Sequence, residues 1–102
     1  MTNTTEPEHI GRFPIGRIEI TRALAQTVLR RKLNLIPYLL RHVEGDWSDV
    51  TQTDRQLNAD GLLNGGDLCS LFVVEPDVRV VVVTYADRSA TALMLAHEVL
   101  QV

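Results

Sequence analysis

Four consecutive valines, Val80 to Val83, constrain the fold more than any other feature of this 102-residue chain. Valine favours strands, and a strand without polar alternation is typical of one covered on both faces. Turn-forming residues stand on either side of the run, at 75–77 and at 86–88. The pattern therefore predicts an antiparallel meander of three strands, over residues 68–74, 78–85 and 91–95. The last residues are expected to add a short helix or a tail.

Helical patterns precede the meander. The segment from Gly16 to Ile20 alternates polar and apolar residues, which predicts a half-buried strand. We expect this strand to join the sheet at one edge. Thr21 is then the expected N-cap of a first helix with a cationic last turn. Asn34 is the expected cap of a second helix, which has apolar residues at i, i+3, i+4 and i+7 from Ile36 to Val43 and ends near Gly45.

A third, short helix is predicted from a capping-box-like pattern at 51–54; Gly61 weakens it and residues 64–66 end it. The resulting fold class is α+β, with two to three N-terminal helices packed on a three- to four-stranded antiparallel sheet that ends in the C-terminal meander. A chain of this length holds one core. We therefore predict a mobile N-terminal tail over residues 1–14 and a single domain over residues 15–102.

Composition narrows the class of protein. Apolar residues make up 45% of the chain and charged residues 23%, as in ordinary globular domains. The single cysteine, Cys69, lies in an apolar run and is expected to be a buried, inert thiol in a reducing compartment. No run approaches the roughly 18 apolar residues of a membrane span, and the N-terminus lacks a signal-peptide pattern. We expect a cytoplasmic protein that does not contact a membrane.

The net charge of −3 is unevenly distributed along the chain. Residues 11–42 carry seven Arg or Lys against one acid, which gives +6, and residues 43–102 carry ten acids against three arginines, which gives −7. This asymmetry allows a basic face for phosphates or for an acidic partner, or two complementary faces that pack within the fold or between subunits. The second interpretation is favoured, because an acidic chain is a poor non-specific binder of nucleic acid.

Two polar segments interrupt the apolar pattern. The first polar segment, residues 41–49, ends the second predicted helix and contains His42, Asp46 and the only tryptophan, Trp47. The second polar segment, residues 84–91, surrounds the turn between the last two predicted strands. We expect strand pairing to bring the two segments side by side into one patch of surface. Polar loop residues held on a rigid scaffold are the usual place for binding and catalysis.

These segments resemble a family of small bacterial proteins encoded on plasmids and other mobile elements. The similarity lies in Arg41-His42-x-x-Gly45-Asp46-Trp47 and in Thr84-x-x-Asp87-Arg88-Ser89-x-Thr91. Members are often labelled plasmid-related protein or, misleadingly, type I restriction endonuclease subunit M, so the resemblance implies a genetic setting without a mechanism. A methyltransferase or restriction subunit is excluded, because the chain is too short and no Gly-rich cofactor loop follows a strand. The chain departs from the family pattern at Ser48, Asp67, Tyr85 and residues 97–100.

The favoured hypothesis is a surface that binds another macromolecule. Its expected residues are His42, Asp46, Trp47, Asp87 and Arg88. The expected partner is a host or defence protein, or a second copy of the chain. Trp47 either closes a small core or serves as a stacking platform. Neither a cofactor nor a metal ion is expected, since the clustered acids match no calcium loop and no zinc pattern is present.

A second hypothesis makes the same segments a metal-independent RNase, as in many small bacterial toxins, and then the partner is nucleic acid. His42 would be the general base, because the pKa of imidazole lies near neutrality, and Arg88 would clamp a phosphate. The phosphate would be positioned by three hydroxyls, those of Thr84, Ser89 and Thr91. The purely structural alternative is that His42 donates to a nearby carbonyl or to Asp46, while Asp87 and Arg88 only form the turn.

Overall fold

The computed structural model describes residues 11–47 and 50–99. Its elements, in chain order, are β1 (Arg17–Ile20), α1 (Arg22–Arg31), α2 (Ile36–Val43), α3 (Gln52–Asn64), β2 (Leu68–Glu75), β3 (Val78–Thr84), β4 (Ala90–Leu95) and α4 (Ala96–Val99). The predicted α+β class is confirmed. The sheet is mixed rather than wholly antiparallel, and α4 follows the last strand, so the helices are not all N-terminal.

The four strands lie in the order β1-β4-β3-β2. The predicted meander is confirmed, because β3 pairs antiparallel with β2 on one side and with β4 on the other. The early strand β1 occupies an edge, as expected, but runs parallel to β4. Alternation of polar and apolar residues predicts that one face of a strand is buried and carries no information about its direction.

The helix N-termini follow the capping rules. The Thr21 hydroxyl accepts a hydrogen bond from the Leu24 N–H at 3.3 Å, and the Thr51 hydroxyl accepts one from the Asp54 N–H at 3.1 Å. The predicted cap at Asn34 is displaced by one residue, because α2 begins after Leu35. The Asn34 side chain still accepts the Ile36 N–H at 3.1 Å, so it serves the first turn from one position upstream.

Helix α3 lies against the outer edge of β2. The Asn58 side chain both donates to the Cys69 carbonyl, at 2.7 Å, and accepts from the Cys69 N–H, at 2.8 Å, so it occupies an edge position that a further strand would otherwise take. Gly61 does not end the helix. A Cβ at Gly61 would lie 3.0 Å from the Asp67 carbonyl oxygen, so the glycine permits the close approach of the chain that enters β2.

Two buried clusters form the core. One joins α1 to one face of the sheet, and its fully buried members include Leu24, Phe72, Val80 and Val82. The other contains five side chains, of which only Leu68 lies in a strand. The remaining four are Phe13, Val43, Trp47 and Val50. On the opposite face of β3, Val81 is 8% exposed, so the valine run is covered on both sides there as its composition indicated.

The folded domain begins upstream of residue 15, where the predicted boundary lies. Phe13 is 3% exposed, and the Arg12 N–H donates to the Val43 carbonyl at 2.7 Å. Residues 1–10 of the predicted tail lie outside the described residues. Among the residues described, no helix combines the length and the apolar character needed to cross a membrane.

Candidate functional site

The two polar segments meet inside the protein. The Nδ1 atom of His42 lies 2.6 Å from the Ser70 hydroxyl, and its Nε2 atom lies 2.8 Å from the Thr84 hydroxyl. The Thr84 hydroxyl lies 2.7 Å from the Thr91 hydroxyl, and the Thr91 hydroxyl donates to the Ile15 carbonyl at 2.8 Å. The two segments meet, as expected, through the contact between His42 and Thr84, but this contact is buried and does not form the expected patch of surface. We call Ser70, His42, Thr84 and Thr91 the buried polar chain.

The direction of the protons in the buried polar chain follows from its last acceptor. The Ile15 carbonyl can only accept, so the Thr91 hydroxyl donates to it and must accept from Thr84. Thr84 has then used its only proton and must accept from the Nε2–H of His42. Nδ1 is therefore the bare nitrogen of a neutral ring and accepts from the Ser70 hydroxyl. The network selects one tautomer of His42, with the proton on Nε2.

Burial holds His42 in this neutral form. All four side chains of the buried polar chain are fully buried, with 0% of each residue exposed. Burial lowers the pKa of His42 from its ordinary value of 6.5 to about 4, because the charged ring would be cut off from water. The edge of the ring packs against Phe13, with 5.2 Å between centroids and 88° between planes. With both nitrogens bonded and no route to solvent, the ring serves as a connector between α2, β2 and β3.

Arg88 serves as a clamp on backbone carbonyls. Its Nη1 atom donates to the Gly66 carbonyl at 2.6 Å, and its Nη2 atom donates to the Gly61 carbonyl at 3.1 Å. Nη1 also donates to two carbonyls of its own turn, that of Tyr85 at 3.1 Å and that of Ala86 at 3.3 Å. A cation suits the carbonyl-rich C-terminus of α3, where the helix dipole is negative. Arg88 adopts a left-handed backbone, with φ of 60°, which aims its side chain across the turn toward α3.

The other predicted residues have separate surroundings. Asp87 is exposed, and its Oδ1 atom accepts the Ser89 N–H at 3.0 Å; the Ser89 hydrogen bonds hold the pKa of Asp87 below its ordinary value. Asp46 accepts from the Arg41 Nε atom at 2.7 Å in a half-exposed ion pair. Trp47 is 8% exposed and closes the second core cluster, and its indole N–H has no hydrogen-bond partner in the described part of the chain. Ser48 and Asp49 lie outside the described residues.

The structure thus separates the predicted residues into two sets. His42, Thr84 and Thr91 are joined by hydrogen bonds in the interior, whereas Asp87 and Ser89 stay at the exposed turn. The structural alternative also differs in detail, since His42 binds hydroxyls of two strands rather than a carbonyl or Asp46. Arg88 likewise reaches beyond its own turn.

Two residues that build the site were not predicted as part of it. Ser70 alternates with Leu68 and Phe72 on the buried face of β2, and a hydroxyl at a core position of a strand was the available signal. Phe13 lies between His42 and Arg88, whose guanidinium carbon is 5.8 Å from the ring centroid. A single aromatic residue in a predicted tail gives no comparable signal.

The RNase hypothesis requires an open cleft that both His42 and Arg88 face. In the described part of the chain, His42 is closed off from solvent and the guanidinium of Arg88 is directed at carbonyls. One open cleft, of about 370 Å³, lies at the opposite end of β3, and its basic lining residues include Arg30, Arg31 and Arg79. The geometry therefore supports a structural role for the predicted catalytic residues.

The described residues offer little support for metal binding or thiol chemistry. No group of three His, Cys, Asp or Glu side chains converges as metal ligands do within residues 11–47 and 50–99. Cys69 is half-buried, and burial, with smaller effects of Asp54 and Asp67, raises the pKa of its thiol, which keeps the thiol protonated and weakly nucleophilic.

Comparison of the chain with protein-family models, with curated proteins and with solved structures gives no match.

Proposed function

We propose that this protein acts by binding another protein, rather than by catalysis, at the end of the sheet where the two polar segments meet. The observation that supports the proposal is that His42, the general base of the RNase hypothesis, is fully buried with both ring nitrogens bonded. A general base must reach the proton that it removes. The buried polar chain stabilises the fold, and a partner would contact the exposed side chains at this end of the sheet.

Exposed carboxylates lie at this end of the sheet. We call Asp67 and Asp87 the acidic end; both are exposed. The Asp67 carboxylate accepts the Ala86 N–H at 2.7 Å, which places it beside the turn that carries Asp87. The carbonyl clamp of Arg88 and the buried polar chain hold the supporting backbone in one arrangement. A surface that is already ordered loses little conformational entropy on binding.

The proposed partner presents a basic surface to the acidic end. Complementary charges raise the association rate and reject partners of the wrong sign, and their effect weakens as salt rises. The resemblance to mobile-element proteins leads us to propose a host or defence protein as this partner, in the cytoplasm. The half-buried, protonated thiol of Cys69 suits that reducing compartment.

The test compares two neutralised carboxylates at opposite ends of β3. Asp87→Asn removes a charge from the acidic end while keeping an oxygen that accepts the Ser89 N–H. Asp77→Asn removes the same charge from the opposite turn, where Asp77 pairs with Arg31. Proteins captured from host extract are expected to include at least one that binds wild type and Asp77→Asn but binds Asp87→Asn more weakly. Identical sets of captured proteins for the three baits would contradict the proposal.

A further inference from the structure

Strand β1 is the outermost strand at one edge of the sheet. Its pairing with β4 uses the N–H groups of Arg17, bonded to the Ser89 carbonyl at 2.9 Å, and of Thr21, bonded to the Leu93 carbonyl at 3.1 Å. Alternate backbone groups of a strand point to opposite edges, so those of Ile18 and Ile20 point away from β4. No strand of the described residues pairs with this outer edge. An open edge is a template for another strand.

The sequence of β1 is complementary to itself in one antiparallel register. When two copies pair with Ile18 opposite Ile18, Arg17 of each copy stands opposite Glu19 of the other. Ile18 has its N–H and carbonyl directed outward, so the central pair exchanges two hydrogen bonds about a two-fold axis. The two flanking positions then carry opposite charges across the strands, which stabilises such a pair. A shift by one residue in either direction loses this charge matching.

The exposed side chains of β1 fit the same arrangement. Ile18 is 41% exposed and Ile20 is 47% exposed, so both isoleucines leave apolar surface in contact with water. Within one copy, Arg17 and Glu19 form an ion pair at 2.8 Å on the strand surface, with side chains 69% and 40% exposed. Pairing exchanges that exposed intrachain pair for two interchain pairs, so the gain comes from the added backbone bonds and from the covered isoleucines.

We infer that two copies of this chain associate through antiparallel pairing of their β1 edges, forming a continuous eight-stranded sheet. The contact is short, so we expect a weak dimer at high concentration. The β1 edge adjoins the turn that carries Asp87, because the Arg17 N–H donates to the Ser89 carbonyl at 2.9 Å. Pairing uses the outward backbone groups of Ile18 and not the Asp87 carboxylate, so the inference holds whether or not the acidic end binds a partner.

The experiment uses sedimentation equilibrium of the full chain with reversed charges. Wild type is expected to dimerise. Arg17→Glu and Glu19→Arg alone are each expected to weaken the dimer about ten-fold, because two cross-strand pairs become like-charged. An equimolar mixture of the two variants restores opposite charges at both positions and should dimerise as wild type does. A single chain carrying both reversals should do the same.

Circular dichroism of each variant checks that the domain is folded, which is expected because both side chains are exposed. A monomeric wild type up to its solubility limit would overturn the inference. Dimerisation of either single variant as strong as that of wild type would place any contact elsewhere and overturn it as well. Failure of the equimolar mixture of folded variants to recover dimerisation would reject the proposed register.

Discussion

Acidification should destabilise the protein well above the pH at which its carboxylates titrate, and His42 is the reason. The pKa of His42 is about 4 in the folded chain and ordinarily 6.5, so the unfolded chain takes up the proton first. The free energy of unfolding is therefore unaffected by His42 well above pH 6.5, and it decreases as the pH falls from 6.5 toward 4. Protonation in the folded state would also place a second donor against Ser70, whose hydroxyl proton would lose its acceptor.

The size of the effect follows from these two pKa values. From pH 7 to pH 5 the free energy of unfolding should fall by about 2 kcal/mol, since one pKa unit corresponds to roughly 1.4 kcal/mol. The carboxylates with lowered pKa, Asp77 and Asp87, lose their contribution only below their ordinary value of 3.8, outside this window. Urea titrations at half-unit steps of pH measure the change, which corresponds to a midpoint shift on the order of 1 M.

Two variants test whether His42 causes this dependence of the free energy of unfolding on pH. His42→Gln should unfold at lower urea at every pH, because the buried polar chain is broken, but its stability should change little between pH 7 and pH 5. His97→Gln is the matched control, because it makes the same substitution at an exposed position. A wild type whose stability is flat from pH 7 to pH 5, or a slope that persists in folded His42→Gln, would refute the reasoning.

Three further outcomes are expected. Thr91→Val removes the acceptor of the Thr84 proton inside the core and should cost about 1–3 kcal/mol in urea unfolding, whereas Ser89→Ala at the exposed turn should stay within about 0.5 kcal/mol. Arg88→Lys replaces the planar guanidinium with a single ammonium group, which cannot bond the Gly61 and Gly66 carbonyls in the same fixed geometry. Amide exchange at the end of α3 should therefore accelerate, and unchanged exchange would count against the clamp. Purified wild type should leave RNA as intact as a buffer control does, and cleavage that disappears in a folded His42 variant would instead support the RNase hypothesis.

Local patterns were sufficient to predict most of the elements. The valine run and the turn residues beside it predict β2, β3 and β4 because β-branched side chains and turn-forming residues act over a few positions. Thr21 and Thr51 cap helices for the same local reason. The parallel direction of β1 was not predictable in this way, since it depends on where three intervening helices return the chain.

The contacts of the site depend on partners that are distant in sequence. Ser70 lies 28 residues from His42, and nothing near either residue indicates the pair. The acceptors of Arg88 are backbone carbonyls 22 and 27 residues away, and carbonyls are present at every residue. The sequence therefore predicted that the polar segments would meet, while the burial of their central residues depends on packing, including that of Phe13.

The central claim is that His42 is a neutral connector in the interior, with its proton on Nε2. The direct measurement is a nuclear magnetic resonance titration of the ¹⁵N-labelled imidazole from pH 8 down to pH 5. The account predicts that the His42 ring nitrogens keep the shifts of the neutral Nε2–H tautomer throughout this range. Titration of His42 with a midpoint near its ordinary value of 6.5, or a ring protonated on Nδ1, would contradict it.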